Sequence, residues 1–265
     1  MAAGRVVSAR VRQLRGDGRP GVVSLDENVT IEVDLHTGHG RHLFVWGFCE
    51  PAARVMQSLL RPGGVVIDGG ANIGLYTLLA AAAVGPSGRV IACEPAPGTI
   101  EMLRASIRRN GFDWVDLRES ALADAPGRLS IRVFEPGSGS SSFAPADQTT
   151  GTEIEVEVTT LDEVAGPHLE QTNLVKLDVE GAELLALRGA QRLLTQARPD
   201  FIIELEPDHL ARQGSSVADV QTLFADVDYV GFAIVDGALQ PLQGAWSRPS
   251  GDPNIVVRPR ERSAV

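Results

Sequence analysis

The sequence has few cysteines, few aromatic residues and no excess of positive charge. Its two cysteines, Cys49 and Cys93, do not form a metal-binding or redox spacing, which argues against a disulfide scaffold and favours a reduced compartment. The net charge of −10 and the aromatic content of 5% argue against nucleic acid as the substrate, because phosphate binding needs a basic face and RNA-binding sites use aromatic stacking. The acidic charge does not exclude a small neutral or cationic substrate.

The sequence also lacks a long hydrophobic run. The longest apolar stretch, Ile73–Val84, is shorter than the roughly 20 residues that a membrane-spanning helix needs. The N-terminal residues include arginines but no apolar segment typical of a signal peptide. We therefore expect a cytoplasmic protein without a membrane partner, and the sequence carries no indication of its oligomeric state.

What the sequence does contain is a glycine-rich turn between an apolar strand and an alanine-rich helix, in the segment Val65–Gly74. Glycines let a ligand approach the backbone, and the following helix offers free N–H groups. A dinucleotide turn needs glycine at its third position, but counting from Gly69 that residue is Ala71. An S-adenosylmethionine (SAM) turn instead begins with an acid at the strand end, here Asp68, which suits the positive charges of SAM. We favour SAM over a dinucleotide and over a plain turn without a ligand.

Strands and helices alternate between residues 65 and 226, which predicts a doubly wound α/β sheet. Ligands of such sheets bind at the carboxyl ends of the strands, and four predicted strands end in an acid: Asp68, Glu94, Asp178 and Glu204. Glu94 lies 20 residues beyond Gly74, where nucleotide-binding units place a carboxylate on ribose hydroxyls. The third strand is predicted over Val115–Leu122, broken by the polar pair Glu119-Ser120.

The N-terminal 50 residues precede this pattern, and we divide the chain into an extension (1–50) and a SAM-binding domain (51–265). Residues Met1–Gly21 are predicted to form a solvated arm. Alternating residues predict a β-hairpin from the strands Val29–Leu35 and His42–Trp46. A helix is predicted to begin at Pro51, which would let Glu50 face the central turn.

Histidines recur at every third residue within the predicted hairpin, at His36, His39 and His42. This recurrence suggests a metal site, but their spacing falls on a strand end and a turn and need not bring the side chains together. We do not favour a metal there.

Several segments together resemble the FkbM family of SAM-dependent methyltransferases. They cover roughly residues 45–210, and the segments are Val66–Gly74, Ile91–Pro95, Thr160–Glu163, Val175–Glu183 and Ile203-Glu204. The resemblance implies the class I methyltransferase fold, which is Rossmann-like with a seven-stranded sheet and an antiparallel last strand. It also implies O-methylation of a hydroxyl on a small natural product, such as a polyketide, macrolide or sugar. Gly69 departs from the family pattern, where a hydrophobic residue is commoner.

The resemblance assigns cofactor-binding roles along the strand ends. The methionine part of SAM is expected against the turn and the ribose at Glu94, with Asp68 on the amino group directly or through water. The end of the third strand is expected beside the adenine. The predicted cofactor-binding residues are Glu50, Asp68, Gly69, Gly70, Ala71, Asn72, Glu94, Pro95, Ser120, Ala121 and Asp178.

A hydroxyl acceptor has to lose its proton, and this requires a general base. Asp178 and His209 are the candidates, with the alternative that Asp178 only orients SAM. We place Glu180 and Glu183 in the first turn of a helix, where the dipole alone favours an acid. A divalent ion held by Asp178 and Glu204, with Glu206 nearby, is an alternative that we do not favour.

Two other classes of function compete with a methyltransferase. An NAD-dependent oxidoreductase would explain the glycine turn and Glu94, but not Asp68 beside the turn. It would also need a hydride-transfer set such as Tyr-x-x-x-Lys, whereas the two tyrosines, Tyr76 and Tyr229, form no such motif. A non-catalytic SAM-binding protein would differ only in that it does not turn the cofactor over.

Overall fold

The structure, a computed structural model, describes residues 20–47, 50–133, 141–142, 151–246 and 253–263. Most of the predicted N-terminal arm lies outside the described residues, as does Cys49. The described strands are β1 Gly21–Ser24, β2 Thr30–Val33, β3 Val65–Gly69, β4 Arg89–Cys93, β5 Val115–Arg118, β6 Ala121–Leu122, β7 Gly127–Val133, β8 Ser141–Ser142, β9 Thr152–Thr159, β10 Thr172–Leu177, β11 Asp200–Glu204, β12 Tyr229–Val235, β13 Ala238–Pro241 and β14 Asn254–Pro259.

The helices alternate with these strands along most of the chain. The described α-helices are α1 Gly38–Trp46, α2 Pro51–Leu59, α3 Leu75–Val84, α4 Pro97–Asn110, α5 Leu161–Ala165, α6 Glu183–Arg188, α7 Pro207–Arg212 and α8 Val217–Asp226, with a π-helix at Leu193–Ala197 and 3₁₀ turns at Gly166–Gln171 and Arg260–Arg262. Within the described residues, no helix is both long enough and apolar enough to span a membrane. The longest of the described helices, α4, has 14 residues.

The central sheet has eight strands in the order β13-β12-β14-β11-β10-β3-β4-β5. The five strands from β5 to β11 are parallel, and β14 runs antiparallel to both its neighbours, β11 and β12. The predicted class I methyltransferase fold with an antiparallel last strand is confirmed. The sheet has one strand more than predicted, because Asp236-Gly237, both at positive φ, turn the chain back into the edge strand β13.

Apolar side chains cover both faces of the sheet because its central strands are apolar at successive positions. Neighbouring residues of one strand point to opposite faces. One face is formed by Ile67, Ile91, Val175, Ile203 and Ile255. The opposite face is formed by Val66, Val90, Leu174, Ile202 and Val256, and there the core also includes Val23, Ile31 and Phe44 of the N-terminal extension. The extension therefore shares its core with the sheet.

The predicted hairpin strand His42–Trp46 is wrong, because these residues lie in helix α1. Thr37 caps this helix by accepting a hydrogen bond from Gly40 N, and Leu43 and Phe44 pack into the core from one side of it. The hairpin partner of β2 is instead β1, at the end of the segment predicted to be a solvated arm. Tertiary packing and the cap therefore override the β-propensity of residues 42–46.

The predicted third strand, Val115–Leu122, is divided in the structure at the predicted break, Glu119-Ser120. Its first part, β5, is the edge of the central sheet. Its last two residues form β6, which belongs to a separate four-stranded sheet of order β6-β9-β7-β8. Ser120 lies in the break between the two sheets.

Candidate active site

Four acids lie at the carboxyl ends of neighbouring parallel strands, and therefore at one edge of the sheet: Asp68, Glu94, Asp178 and Glu204. The register pairs Lys176 with Asp68 on one side and with Ile202 on the other. Since paired residues of parallel strands project to the same face, the side chains of Asp68, Lys176, Asp178 and Glu204 share one face of the sheet. The tertiary structure thus brings together carboxylates that are far apart in the sequence.

The glycine turn is closed tightly against the end of β10. Gly70 has φ +76°, and a Cβ atom added there would lie 1.8 Å from the carbonyl oxygen of Asp178. The N–H groups of Gly70 and Ala71 both donate to the carbonyl oxygen of Cys93, at 3.0 Å each. The turn therefore lies between the ends of β10 and β4, and its backbone forms part of the candidate site.

Glu94 ties this turn to the end of β4. Its carboxylate accepts hydrogen bonds from Asn72 N and Ala96 N, each at 2.9 Å, and Asn72 itself has φ +50°. Burial raises the pKa of Glu94 to about 7. A carboxylate has about four lone-pair positions, so two backbone donors leave capacity for ligand hydroxyls.

Asp68 lies deeper than the turn that follows it. It is 2% exposed, its Oδ2 accepts a hydrogen bond from Thr77 Oγ1 at 2.5 Å, and burial raises its pKa. Its contact with the amino group of SAM stays a prediction. So do the roles of Pro95, which is half-buried after Glu94, of Ser120 between β5 and β6, and of Ala121, which is buried in β6.

Lys176 is a functional candidate that the sequence analysis missed. It is 1% exposed, and its Nζ lies 2.8 Å from Asp178 Oδ2 and 4.6 Å from the centre of the Tyr76 ring. Burial alone would lower the pKa of Lys176, but Asp178 and Asp68 raise it above its ordinary value. The sequence signal was a single lysine inside an apolar strand, since such a residue is rarely buried without a partner.

The same lysine determines the charge of Asp178. Burial alone would raise the pKa of Asp178, but Lys176 and a hydrogen bond with Glu204 hold it below its ordinary value. The pKa of Glu204 is raised to about 9 by burial and by Asp178. At neutral pH Glu204 is therefore the protonated partner and donates to the Asp178 carboxylate.

Tyr76 connects this cluster to the N-terminal extension. Its hydroxyl donates to Glu50 Oε2 at 2.6 Å, while its ring faces Lys176. Glu50 directly precedes α2, and this hydrogen bond places it beside the first turn of α3, the helix that follows the central turn. The sequence did not predict Tyr76 as its partner.

His209 forms a close pair with Glu180 and not with Asp178. Its Nδ1 is 3.0 Å from Glu180 Oε2. Burial and Arg212 lower the pKa of His209. Burial and Asp178 raise the pKa of Glu180 to about 7. The placement of Glu180 in a first helical turn is wrong, because α6 begins at Glu183 and Glu180 has a left-handed φ of +53°.

Metal ligands do not group together in the described residues. Within that part of the chain, no three His, Cys, Asp or Glu side chains form a set that could hold an ion. Asp178 is paired with Lys176 instead. His36 lies beside Asp34, and burial with the neighbouring His42 lowers the pKa of His39. Metal dependence stays untested.

The sequence of the chain is similar to those of two curated relatives. Methyltransferase 1 of Beauveria bassiana is 28% identical over 143 residues, which are 47% of this chain and 57% of the relative. The 31-O-demethyl-FK506 methyltransferase FkbM of Streptomyces tacrolimicus is 32% identical over 162 residues, 50% of this chain and 61% of the relative. This chain thus spans somewhat over half the length of each.

A solved structure and a family model complete the comparison. The crystal structure of methyltransferase FkbM from Methylobacillus flagellatus matches 96% of this chain and 58% of its own, with 15% identity and a TM-score of 0.49. The fold assignment rests on the strand order described above and not on this match. The model of the methyltransferase FkbM domain matches residues 68–230, which include Asp68, Glu94, Lys176, Asp178 and His209. The chain belongs to the FkbM methyltransferase family.

Proposed function

We propose that this protein is a SAM-dependent methyltransferase that acts on a hydroxyl of a small natural product. The observation that carries the proposal is the contact between the glycine turn and two strand ends. Gly70 is packed against the carbonyl of Asp178, and Asn72 N is held by the Glu94 carboxylate. This arrangement presents backbone and a carboxylate side by side, as the methionine and ribose parts of SAM require.

The residues present fit the cofactor. Gly69, Gly70, Ala71 and Asn72 would hold its methionine part, and the two lone-pair positions left on Glu94 suit the two hydroxyls of a ribose. When bound, SAM supplies an electrophilic methyl group on a sulfonium. The ionised carboxylate of Asp178, at the adjacent strand end, favours a positive charge nearby.

The charges also separate the roles of the two predicted bases. Asp178 is ion-paired with Lys176 and hydrogen-bonded to Glu204, and its lowered pKa makes it a weak proton acceptor. We therefore assign Asp178 the orienting role. His209 has an ordinary pKa near neutrality that burial lowers, so it is neutral and able to accept a proton at neutral pH.

The acceptor class is supported by one relative. The Streptomyces protein that is 32% identical over 162 residues is named as a methyltransferase of 31-O-demethyl-FK506, which indicates methylation of an oxygen on a natural product. We extend this class, a hydroxyl on a small natural product, to the present chain. The acceptor proton then has to be removed at the acidic edge of the sheet.

Calorimetric titration with S-adenosylhomocysteine tests the cofactor, with NAD⁺ as the parallel ligand. We expect binding of S-adenosylhomocysteine that Glu94→Ala weakens about 10- to 100-fold, because hydrogen bonds to a buried carboxylate are lost. Glu101→Ala, an exposed carboxylate on α4, is the matched control and should bind like the wild type. Heat from NAD⁺ alone would contradict the proposal. Transfer of a labelled methyl group to a panel of macrolides and glycosides then separates an enzyme from a protein that only holds SAM.

A further inference from the structure

Among the described residues, two pairs of histidine and carboxylate have nearly the same geometry but different surroundings. His36 Nδ1 lies 2.9 Å from Asp34, and the two side chains are 81% and 34% exposed. His209 Nδ1 lies 3.0 Å from Glu180, and these side chains are 29% and 17% exposed. The first pair is on the surface of the extension, whereas the second lies at the carboxyl edge of the sheet. Only the second has the position and burial of an active-site pair.

The backbone around Glu180 holds this pair in place. Glu180 has φ +53°, a strained conformation for a residue with a side chain, which persists only where its surroundings enforce it. The buried Glu183 enforces it by accepting hydrogen bonds from Val179 N at 3.0 Å and Gly181 N at 3.2 Å. The loop 179–181 is therefore fixed by a carboxylate that is itself at the start of α6.

The same loop is packed against the helix that carries His209. At Gly181, which has φ +103°, an added Cβ atom would lie 2.4 Å from the carbonyl oxygen of His209. The backbone of the loop and the first turn of α7 are thus in direct contact. This contact sets the distance between the Glu180 carboxylate and the His209 ring before any ligand binds.

We propose that Glu180 is a positioning residue that keeps the His209 proton on Nδ1, so that Nε2 is the base for the acceptor hydroxyl. The inference rests on the proposed function. The hydroxyl oxygen bonds to the methyl carbon, its proton passes to Nε2, and the electron pair of the broken carbon–sulfur bond stays on sulfur. The imidazolium that forms would be stabilised by the Glu180 carboxylate, as the hydrogen bond at one ring nitrogen fixes the role of the other.

The charges around His209 are compatible with this role. Glu180 and Asp178 face it from the loop after β10, and Asp208 and Arg212 belong to its own helix. Burial and Arg212 lower the pKa of His209, which leaves the ring neutral at neutral pH. In the described part of the chain Nε2 of His209 makes no hydrogen bond, whereas Nδ1 is paired with the Glu180 carboxylate.

The tautomer can be measured without knowing the acceptor. Long-range ¹H–¹⁵N spectra of the full chain labelled in its five histidines, with and without S-adenosylhomocysteine, report which ring nitrogen carries the proton. His209→Gln assigns the signal. At about pH 8, above the Glu180 pKa of about 7, we expect His209 to carry its proton on Nδ1 in the wild type and to lose this preference in Glu180→Gln. Asp34→Asn is the matched control and should change the His36 signal while leaving His209 as it is.

A second variant separates positioning from folding. Glu180→Gly also removes the carboxylate but relieves the left-handed backbone, so its melting temperature should be no lower than that of the wild type. With any acceptor found in the methyl-transfer screen, both variants should lower kcat about 10- to 100-fold and leave the KM for SAM within about twofold.

The two proposals can fail separately. A His209 proton on Nε2, or a tautomer unchanged in Glu180→Gln, would overturn the role of Glu180 even if S-adenosylhomocysteine binds normally. An unchanged kcat in Glu180→Gly would do the same. Absence of S-adenosylhomocysteine binding in the wild type would instead reject the proposed function.

Discussion

Two segments of this chain share one sequence pattern and form different parts of the site. Val65–Gly74 and Val175–Glu183 both consist of a buried strand, an acid, a glycine and a helix start. In the first segment the acid, Asp68, is satisfied by a neutral hydroxyl from Thr77. In the second the acid, Asp178, is paired with the buried ammonium of Lys176 and accepts from protonated Glu204.

The difference shows what a strand–acid–glycine pattern specifies and what it does not. It specifies a turn at the carboxyl end of the sheet, where ligands bind. The chemistry depends on the side chain that faces the acid. In the first segment a hydroxyl faces the acid, and the backbone of the turn is the part available to a ligand. In the second segment a lysine faces the acid, and the side chains form a cluster of charges.

The largest expected effect comes from removing the charge partner of the second segment. Lys176→Met leaves Asp178 and Asp68 buried without their cation, and we expect the free energy of unfolding to fall by about 3–5 kcal/mol in urea titrations. The matched change in the first segment, Thr77→Val, removes only a hydroxyl donor and should cost about 1–3 kcal/mol. Equal losses in the two variants would remove the distinction between the segments.

The next effect tests the contact between the two segments. Gly70→Ala places a Cβ atom 1.8 Å from the Asp178 carbonyl oxygen at a φ of +76°, so the turn must move away from β10. We expect a loss of more than about 3 kcal/mol in unfolding free energy, together with loss of S-adenosylhomocysteine binding.

Gly69→Ala is the control for this change. An added Cβ atom there would meet the methyl ends of Leu122 and Leu177, at 2.6 and 2.8 Å, and these side chains can rotate away. A loss of about 1–2 kcal/mol is expected. If Gly69→Ala were as damaging as Gly70→Ala, the close approach to Asp178 would not be the feature that matters.

The smallest effect is a pH dependence that belongs to the second segment. The pKa of Glu204 is about 9, above its ordinary value, so the folded state keeps a proton that the unfolded state has released. Stability from this group is complete below the ordinary pKa and is lost as the pH rises through about 9. The slope is up to about 1.4 kcal/mol per pH unit.

Between about pH 7.5 and 8.5 this group contributes most of the pH dependence, because Glu94 and Glu180, both with a pKa of about 7, are then largely ionised. We expect the unfolding free energy of the wild type to fall by about 1 kcal/mol per pH unit in chemical denaturation. Glu204→Gln keeps an N–H donor for Asp178 but has no proton to lose, so its profile should be much shallower, with only the smaller slope that Glu94, Glu180 and the buried Cys93 thiol contribute. A wild-type profile that is equally shallow would show that Glu204 is ionised.

Local sequence patterns predicted most of the sheet, and they failed where a neighbouring element decides. The apolar strands ending in Asp68 and Glu94 lie where the pattern placed them. Residues His42–Trp46 have β-propensity but form a helix, because the Thr37 cap and the burial of Phe44 are worth more than propensity. The predicted break at Glu119-Ser120 is confirmed, but the pattern did not show that Ala121 and Leu122, beyond the break, join a second sheet.

The candidate site divides in the same way. The glycines and acids of the turns can be predicted from the sequence because each meets a local requirement, such as a positive φ at Gly70 or a strand end before Glu94. The sequence does not predict which side chains pair, because this depends on which residues meet at the edge of the sheet. The three pairs are Lys176–Asp178, Tyr76–Glu50 and His209–Glu180.

The sequence by itself determined the alternation of strands and helices, the glycine turn and the acids at the strand ends, since these follow from side-chain periodicity and backbone conformation. Only the tertiary structure decided how each acid is stabilised. Asp68 and Asp178 share one face of the sheet with Lys176, but the lysine ammonium is hydrogen-bonded to Asp178, whereas Asp68 accepts from the Thr77 hydroxyl. Charge in a buried site depends on desolvation and on the nearest opposite charge, and both are set by folding rather than by local sequence.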